Sequence, residues 1–485
     1  MVQYSTSMEA GLPVDRLVRP NGPTAGIGII HLGLGAFFRA FGVPWIAEAA
    51  LAGGGDWGIL GVSLRSPSVR NALKPQGYAY TAVELAPTGE RFQVIENVHD
   101  MLVAPEDPEA LLTAMSHPSV RIVSLTVTEK GYCHNPATGK LDLNHPDIVY
   151  DLAGELPKSA PGFLVRALQA RRAAGRPPFT VLCCDNLPNN GRVVRGVVLD
   201  LAREVDPALA DWIEAEGRFP STMVDRIVPA TKPEDIARLE QLAGYHDASP
   251  VMHEPFRQWV IEDDFVGGER PDFAAVGVQL VEDVTPYEHM KLRMLNGAHS
   301  SLAYLGYLAG HETIAETTGD PVFAGFVEHL WKNEIIPALT PPDGVDLQAY
   351  AGELLERFRN PAIRHRTWQI AMDGSQKLPQ RILSTLQENL DAGRASPGLL
   401  LALAAWMRYV GGTDEKGDPI DVQDPLADKL RQISGEAKGP DKVAALLTVR
   451  EVFDADLAAR LEPLVQPVYT ALVEDGARAC AETVA

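Results

Sequence analysis

Residues 291–299, Lys-Leu-Arg-Met-Leu-Asn-Gly-Ala-His, place an amine, a carboxamide and an imidazole at positions i, i+5 and i+8. On a helix advancing about 100° per residue, those side chains fall within an arc of about 140°. Glu288, three residues upstream, joins the same face. The set fits interconversion of a secondary alcohol and a ketone without a metal. Such a reaction needs a base for the hydroxyl proton and donors for the oxygen that becomes charged. Lys291 can be the base, and Asn296 and His299 the donors. Working near neutral pH requires the lysine pKa to be lowered by desolvation. An ionised Glu288 close by would oppose that shift, so Glu288 is assigned to proton relay. A buried polar helix face must be satisfied, so it marks either a site or a polar network.

A second polar cluster, Asp185-Asn-Leu-Pro-Asn-Asn-Gly191, directly follows the apolar run Phe179–Cys184. Ligands of open α/β sheets sit beyond the carboxyl ends of the strands. Asn186 can therefore add its amide to that of Asn296, or the loop is simply a hydrophilic turn. Thr126 to Tyr132, with Thr128 and Glu129, follows the run Arg121–Val127 in the same way and can line the site. No metal is expected, because HExxH and CxxC are absent and the histidines lack ligand spacing. There is no GxSxG elbow and no P-loop.

The elements that must position these groups begin with the apolar run Gly26–Leu34. It opens into Gly33-Leu-Gly-Ala-Phe-Phe-Arg39, followed by an Ala-rich helical pattern to about Ala52. Strand, glycine turn and helix are the opening of a dinucleotide-binding βαβ unit. Backbone N–H groups at Gly33, Gly35, Ala36 and Phe37 would meet a pyrophosphate there. Phe38 occupies the third glycine position of the usual fingerprint, which puts the closest helix–strand packing in question. A second strand is expected at Gly58–Leu64, and its end carries Arg65 and Ser66 with no acidic residue. Arg65 and Arg70 either meet a 2′-phosphate or are surface cations, which leaves NAD and NADP both open. Further strands are expected at Arg121–Val127 and Phe179–Cys184. Apolar strands alternating with helices predict an α/β fold with a mostly parallel sheet covered on both faces. Loops are expected at Pro136–Gly139, Pro157–Gly162 and Gly267–Pro271. Beyond about Asp283 helical periodicity dominates nearly to Ala485. The expected domains are 1–281, which binds the dinucleotide, and 282–485, which is helical and carries the catalytic helix.

The chain has 485 residues, 46% hydrophobic and 22% charged, which predicts a folded globular protein of two or three domains. A net charge of -21 argues against nucleic acid or an anionic membrane surface as partner, while leaving room for a local basic pocket. Four cysteines, at 133, 183, 184 and 480, form no disulfide framework and suit a reducing compartment. The amino-terminal stretch lacks the pattern of a signal peptide, and Leu399–Met407 reads as a buried helix, too short to span a bilayer. A cytoplasmic protein is expected.

Several segments resemble the polyol-specific long-chain dehydrogenases, the mannitol dehydrogenase and fructuronate reductase family. They are His31-Leu-Gly-Leu-Gly-Ala-Phe-Phe-Arg-Ala40, Ser124-Leu-Thr-Val-Thr-Glu-Lys-Gly-Tyr132, Cys184-Asp-Asn-Leu-Pro188, Met223-Val-Asp-Arg-Ile227, Gln258-Trp-Val-Ile-Glu-Asp263 and Lys291 to His299. The resemblance spans about Gly26 to Ala445. It implies a Rossmann-type first domain, a mostly helical second domain and NAD-linked, zinc-independent alcohol oxidation, in a chain able to work as a monomer. By the same resemblance Lys291 is the general acid/base, Asn186 and Asn296 are oxyanion donors, His299 contacts the substrate oxygen and Glu288 relays the proton. One departure is Phe37-Phe38-Arg39-Ala40-Phe41, where relatives often carry histidines at the second and fifth places. This loss of two polar groups would weaken any ligand contact made there. The segment from His365 to Arg381 resembles the fructuronate reductase branch. Arg366, Lys377 or Arg381 would receive the carboxylate of a hexuronate or aldonate, or they are structural ion pairs. The expected reaction is NADH-dependent reduction of fructuronate to mannonate. The alternatives are a mannitol or related polyol dehydrogenase and, in another class, a non-catalytic nucleotide-binding protein.

Overall fold

Runs that are apolar at nearly every position form strands buried on both faces, and β1 (Ile27–Leu32) and β2 (Gly58–Ser63) are built this way. In the computed structural model, which describes residues 15–20, 22, 25–135, 138–154, 156–439 and 441–485, the chain divides into two units at Val284/Thr285. Most of the stretch read for a signal peptide, and Pro136 of the loop expected at 136–139, lie outside the described residues.

The first unit continues with β3 (Tyr80–Ala86), β4 (Gly89–Ile95), β5 (Val98–Val103), β6 (Ile122–Leu125) and β7 (Thr180–Cys183). Its remaining strands are β8 (Thr222–Asp225), β9 (Val251–His253), β10 (Gln258–Glu262) and β11 (Gln279–Val281). Among the described residues the central sheet has the order β5-β2-β1-β6-β7, and every pairing is parallel. Two three-stranded sheets, β11-β10-β8 and β4-β3-β9, stand beside it. The pleat sends alternate residues to opposite faces. Ile29, Ile59, Ile122 and Leu182 meet one core with Phe38, Phe41, Trp45 and Trp259. Ile30, Leu60, Val123 and Val181 meet the other, under the helices Pro108–Ser116, Ala160–Ala173 and Asn190–Val205. Each fully buried side chain of this size contributes about 1.5–3 kcal/mol.

The expected helix to Ala52 is instead two helices, Ala36–Ala40 and Gly42–Gly53, separated at Phe41. The Phe38 ring packs tightly at this junction: a Cβ at Gly42 would lie 2.2 Å from it. That ring is fully buried and stacks on His31 with centroids 3.4 Å apart. His31 bridges β1 to β6 through Ser124 Oγ (2.8 Å) and Thr126 Oγ1 (2.9 Å). Burial pushes its pKa down to about 3, so the imidazole is neutral. The departure at positions 38 and 41 therefore has a different meaning from the one expected. Both side chains are fully buried core groups, so neither position has a ligand contact to lose.

Gly33 ends β1 at φ +91°, and a Cβ there would lie 2.1 Å from the Thr126 carbonyl oxygen. The turn is fastened by Gly33 N–H to Val62 O (2.8 Å) and by Thr126 Oγ1 to Gly33 O (2.8 Å).

Among its described residues the second unit has helices and no strand. Its buried helices Ala298–Leu308 and Pro397–Tyr409 meet through Tyr304 and Tyr409, with ring centroids 5.4 Å apart. No helix among the described residues is long and apolar enough to cross a membrane.

Gly33→Ala is expected to lower the unfolding free energy by about 2 kcal/mol or more, since it combines a positive φ with a steric clash. Urea denaturation measures this, and an unshifted midpoint would contradict the close approach to Thr126.

Candidate active site

The segment carrying Lys291 is not a uniform α-helix. An α-helix, Thr285–Met290, passes into a π-helical stretch, Lys291–Gly297, and then into the α-helix Ala298–Leu308. In five-residue turns, residue i+5 takes the place that i+4 holds in an α-helix. Lys291 and Asn296 thus come about 40° apart instead of the 140° of an α-helix. The wide turn leaves a carbonyl without its usual amide partner, and Trp331 Nε1 donates to Met294 O at 2.8 Å. Arg293, buried within the same stretch, makes a bidentate pair with Glu388 (both contacts 2.6 Å) and also reaches Ala338 O. Lys291 is 9% exposed, while Asn296 and Glu288 are half-buried.

Gly297 lets a second π-helical stretch, Pro379–Leu383, press against this one, because a Cβ at 297 would lie 2.6 Å from Arg381 O. Arg381 Nη1 then donates to Ser300 Oγ (3.0 Å), next to His299. The His299 ring stacks on Phe358 (5.0 Å) and meets His365 edge-on (4.7 Å). Burial holds its pKa well below the usual value, assisted by His365 and by the charges of Arg381, Arg357 and Lys377. His299 is therefore neutral. Lys377 Nζ donates to Met372 O (2.5 Å), and burial together with Arg381 lowers its pKa to about 8. The short helix carrying it, Gly374–Leu378, is anchored by Asp424, which accepts from Ser375 N (2.8 Å) and Ser375 Oγ (2.6 Å). Arg366 does not join this group. It is exposed and pairs with Glu312 at 3.4 Å, while its neighbour His365 turns inward.

In the first unit Asp185 ties the ends of β6 and β7 together. It accepts from Val127 N (2.9 Å), Thr128 N (3.0 Å) and Tyr132 OH (2.5 Å). Burial raises the Asp185 pKa even though these bonds pull the other way. Thr128 lies at φ +65°, ψ 161°, a region that costs about 1–3 kcal/mol outside glycine. Asn190 Nδ2 fastens the loop from inside, to Asp185 O (3.0 Å) and Thr222 O (2.9 Å). Of the residues expected to meet ligands here, Asn186, Thr128 and Glu129 are exposed. Over the glycine turn, a Cβ on Gly35 would meet only Gly33 O, at 3.8 Å. Ala36 and Phe37 follow half-buried. At the end of β2 Arg65 is exposed, whereas Arg70 pairs with Glu106. Cys133, His145 and Asp147 bring ligand-type atoms within 4.8 Å of one another, a grouping the spacing of the histidines did not suggest. His145 Nδ1 is already used there, accepting the Asp147 N–H at the start of a helix.

Two family models cover most of the chain: the mannitol dehydrogenase Rossmann domain matches residues 27–274, and the mannitol dehydrogenase C-terminal domain matches 283–474. The chain belongs to the mannitol dehydrogenase family. It is 46% identical to a D-mannonate oxidoreductase of Escherichia coli (strain K12), across 98% of this chain and 99% of that protein. It is 42% identical to a mannitol 2-dehydrogenase of Pyrenophora tritici-repentis (strain Pt-1C-BFP), across 92% and 79%. Among solved structures, Pseudomonas fluorescens mannitol 2-dehydrogenase in ternary complex with NAD and D-mannitol matches with a TM-score of 0.85 at 38% identity, covering 98% and 97%.

As a member of this oxidoreductase family the chain is an enzyme, and Trp331, Arg293, Arg357 and His365 join the residues that shape its candidate site. Trp331 carries no local signal, since its partner Met294 is 37 residues away. Trp331→Phe keeps the ring and removes the donor, leaving a buried carbonyl unpaired at a cost of about 1–3 kcal/mol. The expected result is that loss in urea unfolding together with a fall in turnover larger than any change in KM. Unchanged turnover would show that the π-turn does not need this bond.

Proposed function

We propose that the enzyme catalyses reversible, NADH-dependent reduction of D-fructuronate to D-mannonate, with Lys291 as general acid and base. The observation that carries the choice of substrate is the set of cations around His299: Arg381, Arg357 and Lys377 all act on that buried ring. A substrate carboxylate meeting Lys377 and Arg381 would offset their desolvation, whereas a neutral polyol would not. Likeness to a D-mannonate oxidoreductase supports the same choice. Likeness to mannitol 2-dehydrogenases favours the second reading, a polyol dehydrogenase.

The glycine turn suits a dinucleotide, with Gly33 excluding a side chain and Gly35 leaving open space for a pyrophosphate. When bound, the nicotinamide supplies or accepts the hydride. The ammonium of Lys291 gives its proton to the substrate oxygen in reduction, and the neutral amine removes it in oxidation. Asn296 donates its amide to that oxygen, and Asn186 keeps the role of a further amide donor. Neutral His299 can offer one N–H without adding charge. Glu288 passes the proton between Lys291 and solvent. Arg366, exposed and outside the set of cations acting on His299, is left out of carboxylate binding.

A panel of fructuronate and fructose with NADH and NADPH tests this assignment. Fructuronate with NADH is expected to give the highest kcat/KM, and preference for fructose would replace it with the polyol reading. Lys291→Ala is expected to lower kcat by about 10²–10⁴-fold, and unchanged turnover would remove Lys291 from the chemistry. Lys377, with its pKa near 8, is a cation below that pH and loses its charge above it. KM for fructuronate is therefore expected to rise as pH passes about 8, while KM for uncharged fructose stays flat. Parallel profiles would exclude Lys377 from carboxylate binding.

A further inference from the structure

His365 is pinned by its backbone, with N–H to Ile363 O (2.7 Å) and its carbonyl accepting from Ile314 N (3.0 Å). Neither bond involves the ring. The imidazole meets His299 at 66°, with centroids 4.7 Å apart, and its Nδ1 is buried without a hydrogen-bond partner. A buried polar nitrogen without a partner is unfavourable, and such groups in a folded protein call for an explanation. Burial and the nearby Lys377 lower the His365 pKa to about 4, so the ring is a neutral donor and acceptor. Lys377 and Arg381 also act on His299, the ring that His365 meets edge-on, so the two imidazoles share one cationic surrounding.

We propose that His365 is a specificity-determining residue, its Nδ1–H donating to the substrate carboxylate beside Lys377 and Arg381. This rests on the uronate reading above. A carboxylate only accepts hydrogen bonds, and this nitrogen lacks an acceptor. Substrate binding would therefore satisfy a group that the protein itself leaves unpaired. The gain arises at the end of the substrate remote from the reacting carbonyl, so it falls on binding.

Two variants separate this from a packing role. His365→Phe keeps a ring against His299 and removes the nitrogen, while His365→Asn returns an N–H donor near the position of Nδ1. His365→Phe is expected to raise KM for fructuronate by about tenfold or more with kcat little changed. His365→Asn should recover most of that loss, and thermal midpoints should match the parent for both. KM for fructose, which has no carboxylate, should not distinguish the three proteins. If the parent reduces fructuronate and His365→Phe leaves its KM unchanged, the role of His365 is overturned while the uronate reading stands. The role is equally overturned if KM rises alike in both variants together with a lower thermal midpoint, which is the signature of lost packing. A parent that reduces fructose and not fructuronate overturns both.

Discussion

One hydrogen bond supports the π-helical stretch that carries Lys291: the Trp331 indole N–H meets the Met294 carbonyl. A π-turn is less favourable than the α-turn it replaces, because it widens the helix and strands a backbone acceptor. The indole satisfies that acceptor from a neighbouring helix. Arg293 adds a second anchor through its paired contacts with Glu388, and Gly297 a third by admitting the Arg381 backbone. Lys291 and Asn296 share a face because tertiary contacts hold the turn open. The arrangement is local in sequence and non-local in cause.

Electrostatics within the second unit follow from burial as much as from charge. The whole chain is strongly acidic, at -21, yet the surroundings of His299 are cationic. Desolvation is the largest influence on His299, His365, Lys377 and Arg381, and each acts against its charged form. The two histidines are neutral as a result, and they act through hydrogen bonding and ring contact. Lys377 is left close to its transition, where a bound anion would favour the ammonium form.

The central strands are legible in the sequence because their runs are buried on both faces. Strands β1, β2, β6 and β7 fall inside the apolar runs expected for them. Strand β5 is not legible as an apolar run, because it closes one edge of the sheet and carries His99 and Asp100, which are not buried. Strand β4 is mostly exposed and rich in charge, so it has no apolar run to read. The spacing of Lys291, Asn296 and His299 was visible, but their angular relation was not, since it depends on Trp331. Phe38 broke a local rule about glycine for a distant reason, the ring of His31 beneath it. Arg366 and His365 are neighbours, and nothing in their order tells which faces inward. The isolated bridge between Thr313 and Arg366 accompanies the arginine at the surface.

The same wide turn has a consequence for how this chain can vary in length. Removing one residue from 291–297 would let an ordinary helix form, with every backbone bond intact and no penalty in local folding. With the gap between them, Lys291 and Asn296 would then stand four residues apart and keep their shared face, because the wide turn takes up one extra residue without changing the phase of what precedes and follows it. The cost of such a deletion would fall instead on the contacts made from inside the turn, those of Met294 with Trp331, of Arg293 with Glu388 and of Gly297 with the Arg381 backbone.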